Sequence, residues 1–156
     1  MELIILRHAK SAWPEGVDDH ERPLGPRGLR DAPGVGRWLR DNGHVPGLVL
    51  CSTARRTRET WALVQEQLDA EPRVEFMDVL YGASVREVMR LVQATSGEVE
   101  RLMIVGHEPT VSDTTLHLVP EAAFEKFPTG AVAVIALDSW QADSGVLTAF
   151  RTPRDG

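Results

Sequence analysis

Short apolar runs alternate along this chain with longer segments of helical character, and this alternation constrains the fold more than any other feature. The apolar runs predict strands at residues 3–6, 48–51, 74–76, 102–105 and 132–137, and a last edge strand near 146–150. The segments of helical character lie at residues 27–41, 55–68, 85–94 and 111–118. Strands that alternate with helices are typical of a sheet covered on both faces. We therefore predict an α/β fold, a three-layer α/β/α sandwich with a mainly parallel central sheet.

Three irregular features qualify this pattern. Pro33, Gly34 and Gly36 lie inside the first helical segment, where they predict a break or a kink. Residues 13–25 are rich in proline, glycine and acids, and they predict a loop over the end of the first strand. A second irregular stretch is expected at residues 119–130, bounded by prolines and a closing glycine.

Length and composition exclude several classes of protein. We predict a single domain over residues 1–156, a length sufficient to bury a core. The formal net charge of −6 argues against a nucleic-acid partner. No apolar run approaches the roughly 18 residues of a membrane span, and Arg7 interrupts the N-terminal run too early for a signal peptide. A lone Cys51 cannot form an intrachain disulfide, so the cytoplasm is the expected location.

Basic residues follow three of the predicted strands at the points where these strands end. The first strand runs into Arg7 and His8, the second leads to Arg55 and Arg56, and the fourth leads to His107. In an open α/β sheet, ligands bind beyond the carboxyl ends of the strands. Arginine binds phosphate through forked, charge-assisted hydrogen bonds, and helix N-termini at this edge add backbone donors. The pattern therefore predicts an anion site of phosphoryl size.

Other motifs that would explain these residues fail on inspection. A cysteine phosphatase loop needs arginine six positions after its cysteine, but Thr57 follows Cys51 at that spacing. Gly34 and Gly36 do not form a dinucleotide fingerprint, because Leu39 occupies the third glycine's place. The histidines lack the close spacing of a helical zinc site. We predict neither a metal nor an organic cofactor.

Four segments together resemble the histidine phosphatase superfamily, whose fold is the phosphoglycerate-mutase-like fold. They are LRHAKS (6–11), RPLGPRG (22–28), CSTARRTRET (51–60) and VGHEP (105–109), and they occur in the order typical of that family. The short chain and the combination of RHAKS with RPL..RG most resemble its small phosphohistidine phosphatase branch, the SixA-like proteins.

The resemblance implies roles for individual residues. It makes His8 the nucleophile, Arg7 a phosphate ligand and His107 the second histidine of the pocket. The family pattern S-x-x-x-R-x-x-x-T matches Ser52 and Arg56, so Arg56 rather than its neighbour is the second phosphate-binding arginine.

Further residues of the same motifs are assigned more peripheral roles. Ser11, Ser52 and Glu108 are additional substrate-binding candidates, whereas Arg22 and Arg27 are interpreted as structural or rim residues.

The sequence departs from the family pattern at the proton donor. Many larger members carry a glutamate after the third strand, but Gly82 occupies that place here. Without a strong acid, alkoxide leaving groups are harder to expel, whereas a protonated imidazole leaves more easily. Asp19 is the best substitute general acid, with Asp78 and Glu108 as weaker candidates.

These inferences together predict a phosphatase that acts through a covalent phosphohistidine on His8. Protein phosphohistidine is the leading substrate, so the expected partner is a phosphorylated protein. Two alternatives stay open at this point. One is a phosphomonoesterase that acts on a small phosphorylated metabolite. The other is a module that binds phosphorylated ligands but turns them over negligibly.

Overall fold

The structure is a computed structural model, and it describes residues 1–154. Within these residues six strands form one sheet, in the order β3-β2-β4-β1-β5-β6. The strands are β1 (Glu2–Arg7), β2 (Leu48–Ser52), β3 (Arg73–Met77), β4 (Arg101–Gly106), β5 (Val132–Ala136) and β6 (Val146–Arg151). The helices are α1 (Pro26–Asp41), α2 (Arg55–Gln65), α3 (Val85–Gln93) and α4 (Thr110–Leu118). Every predicted strand and helix is present, with no end displaced by more than three residues.

The sheet is mainly parallel, as predicted. Strand β1 pairs in parallel with β4, β4 with β2, and β2 with β3. Strand β5 is antiparallel to both of its neighbours, β1 and β6. The carboxyl ends of β1, β2 and β4 therefore lie side by side at one edge.

Alternate residues of the strands pack against opposite helical layers, because successive side chains of a strand point to opposite faces. On one face, Ile4 and Leu6 of β1 pack with residues of α1 and α2, such as Leu39 and Trp61. On the other face, Leu3 and Ile5 join a cluster contributed by α3, α4 and the 119–140 region. The central strand β1 is buried on both faces, which explains its continuous apolar sequence. This is the predicted three-layer α/β/α sandwich.

Helix α1 contains Pro33 and is continuous from Pro26 to Asp41, so of the break or kink predicted there the break does not occur. Proline removes only one intrahelical hydrogen bond, and the packing of α1 against α2 and the sheet supports the rest of the helix. Gly36 permits that packing, since a Cβ at this position would lie 2.4 Å from the Val64 carbonyl oxygen. At the other end of the helix, a Cβ on Gly28 would lie 2.1 Å from the carbonyl oxygen of Lys10.

The two predicted irregular segments border the carboxyl edge of the sheet. The 13–25 segment contains one short 3₁₀ turn, Asp19–Glu21, and Ser11 and Leu24 form an isolated antiparallel bridge at its base. The 119–130 segment returns to β1, where the Gly130 amide donates to the carbonyl oxygen of His8. None of the helices in residues 1–154 has the length and apolar character needed to cross a bilayer.

Candidate active site

A pocket of about 220 Å³ opens at the carboxyl ends of β1, β2 and β4. We call it the strand-end pocket. The structure brings together there most of the residues singled out from the sequence, although they come from distant segments of the chain. The pocket is lined by Arg7, His8, Lys10, Ser11, Trp13, Arg22, Arg56, His107, Glu108 and Thr129.

His8 is held rigidly at the floor of this pocket, and its side chain is nearly buried. Its Nδ1 lies 2.7 Å from the carbonyl oxygen of Ala9. That oxygen can only accept, so Nδ1 carries the proton and Nε2 keeps its lone pair. Thr60, the last residue of the CSTARRTRET motif, fixes this turn by accepting a hydrogen bond from the Ala9 amide at 3.0 Å.

The surroundings of His8 keep its ring neutral. Burial lowers the pKa of His8 to about 3, and His107, Arg56 and Arg7 act in the same direction. An imidazole with this pKa is unprotonated at neutral pH, so its free nitrogen is available as a nucleophile.

Two arginines flank His8, and each is held by the backbone of a loop. Arg7 donates from Nη1 to the Phe127 carbonyl oxygen at 3.0 Å. Arg56 donates from Nη1 to the Asp19 carbonyl oxygen at 2.8 Å, and its side chain is only 9% exposed. Arg55 instead points outward to Glu59 at 3.0 Å, so Arg56 is the arginine of this helix that faces the pocket, as the motif implied.

His107 faces His8 with their ring centroids 5.4 Å apart. Burial is the main reason that the pKa of His107 falls to about 4, and Arg56 lowers it further. Its Nε2 lies 2.8 Å from the Ser52 hydroxyl oxygen. A hydroxyl can donate or accept, so Ser52 can hold this ring whether it is neutral or protonated.

Ser52 contacts His107 rather than the open part of the pocket. It is fully buried, and its hydroxyl also accepts a hydrogen bond from the Ala54 amide at 3.2 Å. These contacts suit a residue that positions His107, while the direct contact with substrate stays a prediction.

Asp19 anchors the loop over the pocket. Its carboxylate accepts hydrogen bonds from Arg22 at 2.9 Å, Arg56 at 3.2 Å and the Tyr81 hydroxyl at 2.5 Å. These donors hold the pKa of Asp19 well below its usual range, with the Tyr81 hydrogen bond as the largest cause. An ionised carboxylate has no proton to give, so this geometry argues against the predicted general acid.

Arg22 was interpreted from the sequence as a structural or rim residue, and its contacts are of that kind. Its Nε donates to the Ala12 carbonyl oxygen at 3.1 Å, and its Nη2 donates to the Ser11 hydroxyl. The guanidinium also lies 3.2 Å from the centroid of the Trp13 ring. Sequence reasoning missed Trp13, whose side chain is 74% exposed although the ring lines the pocket; a lone tryptophan in a polar loop was the available signal.

Ser11 and Glu108 lie where the sequence predicted, on the pocket wall. Each is already engaged, Ser11 with Arg22 and Glu108 with Ser112. The Glu108 carboxylate accepts hydrogen bonds from the Ser112 amide at 2.8 Å and from its hydroxyl at 2.9 Å. Glu108 thus caps the first turn of α4 at the pocket rim.

The charge of the pocket is suited to an anion. Arg7, Lys10, Arg22 and Arg56 line it together with one carboxylate, that of Glu108, which accepts from Ser112. The Asp19 carboxylate nearby pairs with both Arg22 and Arg56. Within residues 1–154, no group of three or more histidine, cysteine, aspartate or glutamate side chains is placed to hold a metal ion. The arrangement can therefore bind a compact oxyanion through arginines and present it to the free nitrogen of His8.

Comparison with known proteins agrees with this geometry. The family model for the histidine phosphatase superfamily (branch 1) matches residues 3–85. An uncharacterised protein of Mycobacterium tuberculosis is 41% identical over 162 residues, which cover 96% of this chain and all of the relative.

Solved structures extend the likeness over nearly the whole chain. A protein of Agrobacterium tumefaciens assigned as the phosphohistidine phosphatase SixA is 30% identical, with a TM-score of 0.88 and 97% of each chain covered. The protein histidine phosphatase SixA in complex with tungstate is 25% identical, again with a TM-score of 0.88 and with 99% of each chain covered.

Proposed function

This chain belongs to the histidine phosphatase superfamily and has its phosphoglycerate-mutase-like fold, and from that premise we propose that it hydrolyses protein phosphohistidine through a covalent intermediate on His8. The family and its SixA-like structural neighbours support phosphatase activity in general. The substrate and the residue roles below are our proposal.

One observation carries the proposal: a neutral imidazole with a free Nε2 lies between two arginines and opposite a second imidazole. Of the two imidazoles, that of His8 has its Nδ1 fixed by a backbone carbonyl, that of Ala9, whereas His107 contacts the Ser52 hydroxyl through Nε2. The tautomer, the low pKa and the buried position all favour attack by Nε2 on phosphorus.

In the first step, the phosphoryl group binds with its nonbridging oxygens on Arg7 and Arg56. The Nε2 lone pair of His8 forms the N–P bond while the bond from phosphorus to the leaving group breaks. The arginines stabilise the charge on the three oxygens through forked hydrogen bonds. His107 gains a proton more easily once the phosphoryl dianion is bound, because an opposite charge nearby raises its pKa.

In the second step, a water molecule attacks the phosphorus of phospho-His8. The N–P bond breaks, inorganic phosphate leaves, and His8 returns to its neutral form. The proton of the attacking water ends on phosphate or on His107, so no residue is consumed in the cycle.

The carboxylates at the strand-end pocket are engaged with other donors, and this favours a nitrogen-linked substrate. Asp19 is held ionised, Glu108 is bound to Ser112, and Gly82 stands where larger relatives have glutamate. An imidazole leaving group needs little protonation by the enzyme, because phosphohistidine can bind already protonated on its ring. We therefore rank phosphohistidine above alkyl phosphate monoesters.

Two further parts of the proposal concern the need for a metal ion and the location of the protein in the cell. We propose that the reaction needs no metal, since the arginines already supply the positive charge that a metal would provide. We also propose a cytoplasmic location, where the single buried thiol of Cys51 would stay reduced.

The test is to trap the intermediate during turnover of phosphoramidate or a phosphohistidine peptide. The reaction is stopped with denaturant at alkaline pH, and the protein is analysed by intact mass and peptide mapping. We expect one phosphoryl group on the peptide that contains His8, stable to base and lost in acid. The metal requirement is checked in the same assay with a chelator.

Matched variants make the result specific. His8→Ala should show neither adduct nor turnover, whereas His117→Ala, which changes an exposed histidine of α4, should behave like the wild type. Turnover that survives in His8→Ala would refute the proposed nucleophile. Faster hydrolysis of an alkyl phosphate than of phosphohistidine would favour the small-molecule phosphomonoesterase, and binding without turnover of any donor would leave a phosphate-binding module.

A further inference from the structure

A second, larger depression continues from the strand-end pocket along the surface. It has a volume of about 580 Å³ and shares Arg7, Lys10, Glu108 and Thr129 with the pocket. We call it the side groove. Its other lining residues are Arg27, Ser112, Leu116, Phe124, Glu125, Lys126, Phe127 and Pro128. The side groove therefore adjoins the strand-end pocket along these four shared residues.

Both lysines of the chain line this groove. The sequence has 17 basic residues, of which only Lys10 and Lys126 are lysines. They are far apart in sequence, and the fold brings them to the same depression. Among residues 1–154, neither ammonium group is within ion-pair or hydrogen-bond distance of a partner, and both side chains are exposed.

The charge of the side groove is opposite to that of the whole chain. Four cationic side chains line it, Arg7, Lys10, Arg27 and Lys126, against the two carboxylates of Glu108 and Glu125. Arg27 also lies 3.7 Å from the carboxylate of Asp31, so the two lysines are the unpaired cations that are specific to the groove. The Glu108 carboxylate is already taken by Ser112, while the chain as a whole carries a formal charge of −6. Positive charge on an acidic protein is thus concentrated next to the pocket.

The base of the groove is firm enough to define a subsite. Phe124 stacks on Phe150 with ring centroids 5.1 Å apart and meets Phe127 edge to face at 5.7 Å. Elsewhere in the lining, the close approach of Gly28 to the Lys10 carbonyl fixes the backbone of Lys10 against α1. The two lysines therefore belong to supported backbone segments that line the groove.

We propose that the side groove is a subsite for a second anionic group of the substrate, a carboxylate or phosphate bound by Lys10, Lys126 and Arg27. This inference rests on the proposed function, since it assumes that the strand-end pocket holds the phosphoryl group. The ammonium group of lysine is a point charge on a flexible side chain, so it suits an anion whose position varies. The arginines of the pocket instead bind a phosphoryl group in one fixed, forked geometry. The second anion can come from an acidic residue near a phosphohistidine or from a metabolite with two acidic groups.

The primary test measures binding and does not depend on turnover. Wild-type protein is titrated with phosphonoacetate, 3-phosphonopropionate and 4-phosphonobutyrate, and with alkylphosphonates of the same chain lengths. The P–C bond is not hydrolysed, so all six compounds report equilibrium affinity. We expect at least one carboxylate-bearing compound to bind about tenfold more tightly than its alkyl counterpart, and this preference should shrink with added salt.

Substitutions then assign the preference to the groove. Lys126→Gln and Arg27→Gln should each reduce the ratio of the two affinities, with the alkylphosphonate as internal reference. Arg86→Gln removes an exposed arginine of α3 outside both depressions and should leave the ratio unchanged. Equal affinity at every chain length, or a preference that survives Lys126→Gln, would overturn the proposal.

Turnover of two substrate pairs identifies the source of the second anion. The first pair is a phosphohistidine peptide with flanking glutamates and the same peptide with glutamines. The second is 3-phosphoglycerate and glycerol 3-phosphate, which differ by a carboxylate. A higher kcat/KM for the glutamate-containing peptide than for its glutamine counterpart indicates that the second anion comes from a protein. A higher kcat/KM for 3-phosphoglycerate than for glycerol 3-phosphate indicates that it comes from a metabolite. A carboxylate preference in binding without any turnover would support the subsite while refuting the proposed phosphatase activity.

Discussion

The two ends of the central sheet place the same residue types in opposite electrostatic settings. At the amino end, Glu2 of β1 lies 3.0 Å from His44 and accepts a hydrogen bond from Arg101 of β4 at 3.1 Å. At the carboxyl end, the same two strands lead into Arg7, His8 and His107, and among residues 1–154 neither of these histidines forms an ion pair with a carboxylate. A cation at the amino end has its anion within the protein. At the carboxyl end Arg56 is paired with Asp19, but Arg7 has no ion-pair partner among residues 1–154.

This difference explains how one sheet can supply both a stabilising cluster and a reactive site. At the amino end the charges balance, and the cluster fastens β1, β4 and the segment that follows α1. At the carboxyl end burial, and to a lesser extent the positive charge of Arg56 and Arg7, lowers the pKa of His8 and His107, and Arg7 is left without an ion-pair partner for an external anion to bind. The carboxyl end, where the positive charge is only partly paired, is therefore the end suited to binding an anion and reacting with it.

The comparison predicts that removing an arginine matters far more at one end than at the other. Arg56→Ala should lower kcat/KM for a phosphoryl donor by roughly 10²- to 10³-fold, as loss of a transition-state donor typically does. Arg101→Ala, the matched change at the amino end, should leave kcat/KM within about twofold. Steady-state kinetics test both, with thermal unfolding to confirm that each variant folds. Similar losses for the two variants would contradict the assignment.

Acid should destabilise the protein through the histidines of the carboxyl end. The folded-state pKa of His8, about 3, and of His107, about 4, lie below the ordinary 6.5. Below pH 6.5 the unfolded chain therefore binds protons that the folded chain does not, and the free energy of unfolding falls by up to about 1.4 kcal/mol per pH unit for each histidine.

Urea unfolding between pH 6.5 and 4.5 measures this effect above the range in which aspartates titrate. His8→Ala should lose less stability across this interval than the wild type, because one of the two groups is gone. Parallel curves for the two proteins would show that His8 is not held neutral by the fold.

A smaller effect distinguishes the two roles considered for Asp19. Asp19→Asn keeps an acceptor for Arg56 but loses its charge, so we expect kcat/KM to fall by about tenfold. If Asp19 only positions Arg56, the loss should be the same for p-nitrophenyl phosphate and for an alkyl phosphate. A loss confined to the alkyl phosphate, whose leaving group needs a proton, would restore Asp19 as the general acid.

The smallest effect is expected at His44. His44→Ala breaks the partly buried contact with Glu2 and should cost about 1 kcal/mol or less in the free energy of unfolding. Its kcat/KM should equal that of the wild type. A drop in activity would mean that the two ends of the sheet are coupled.

The sequence was sufficient to predict the layers and the centre of the site. The apolar runs of β1 and β4 can be recognised from the local sequence, and they end in Arg7-His8 and Gly106-His107. Parallel pairing of the two strands then brings these residues together. The choice of Arg56 over Arg55 came from motif spacing, and the outward ion pair of Arg55 with Glu59 agrees with it.

Contacts made across the chain could not be predicted from the sequence. Asp19 is held ionised partly by Tyr81, which lies 62 residues away, and no local pattern indicates that hydrogen bond. Ser52 has the motif position of a ligand, but its hydroxyl faces His107 from behind. The break expected at Pro33 did not occur because packing of α1 outweighs the loss of one hydrogen bond.

The near-contact between Gly28 and the carbonyl of Lys10 limits which sequences this protein can accept. Even a methyl group at position 28 would overlap that oxygen, so α1 would have to move away from the segment that carries His8. A saturation library scored for activity should therefore be depleted of every substitution at Gly28, although no atom of Gly28 lines the strand-end pocket. Tolerance to mutation at this helix would thus be set by the distance to a backbone oxygen two residues beyond His8.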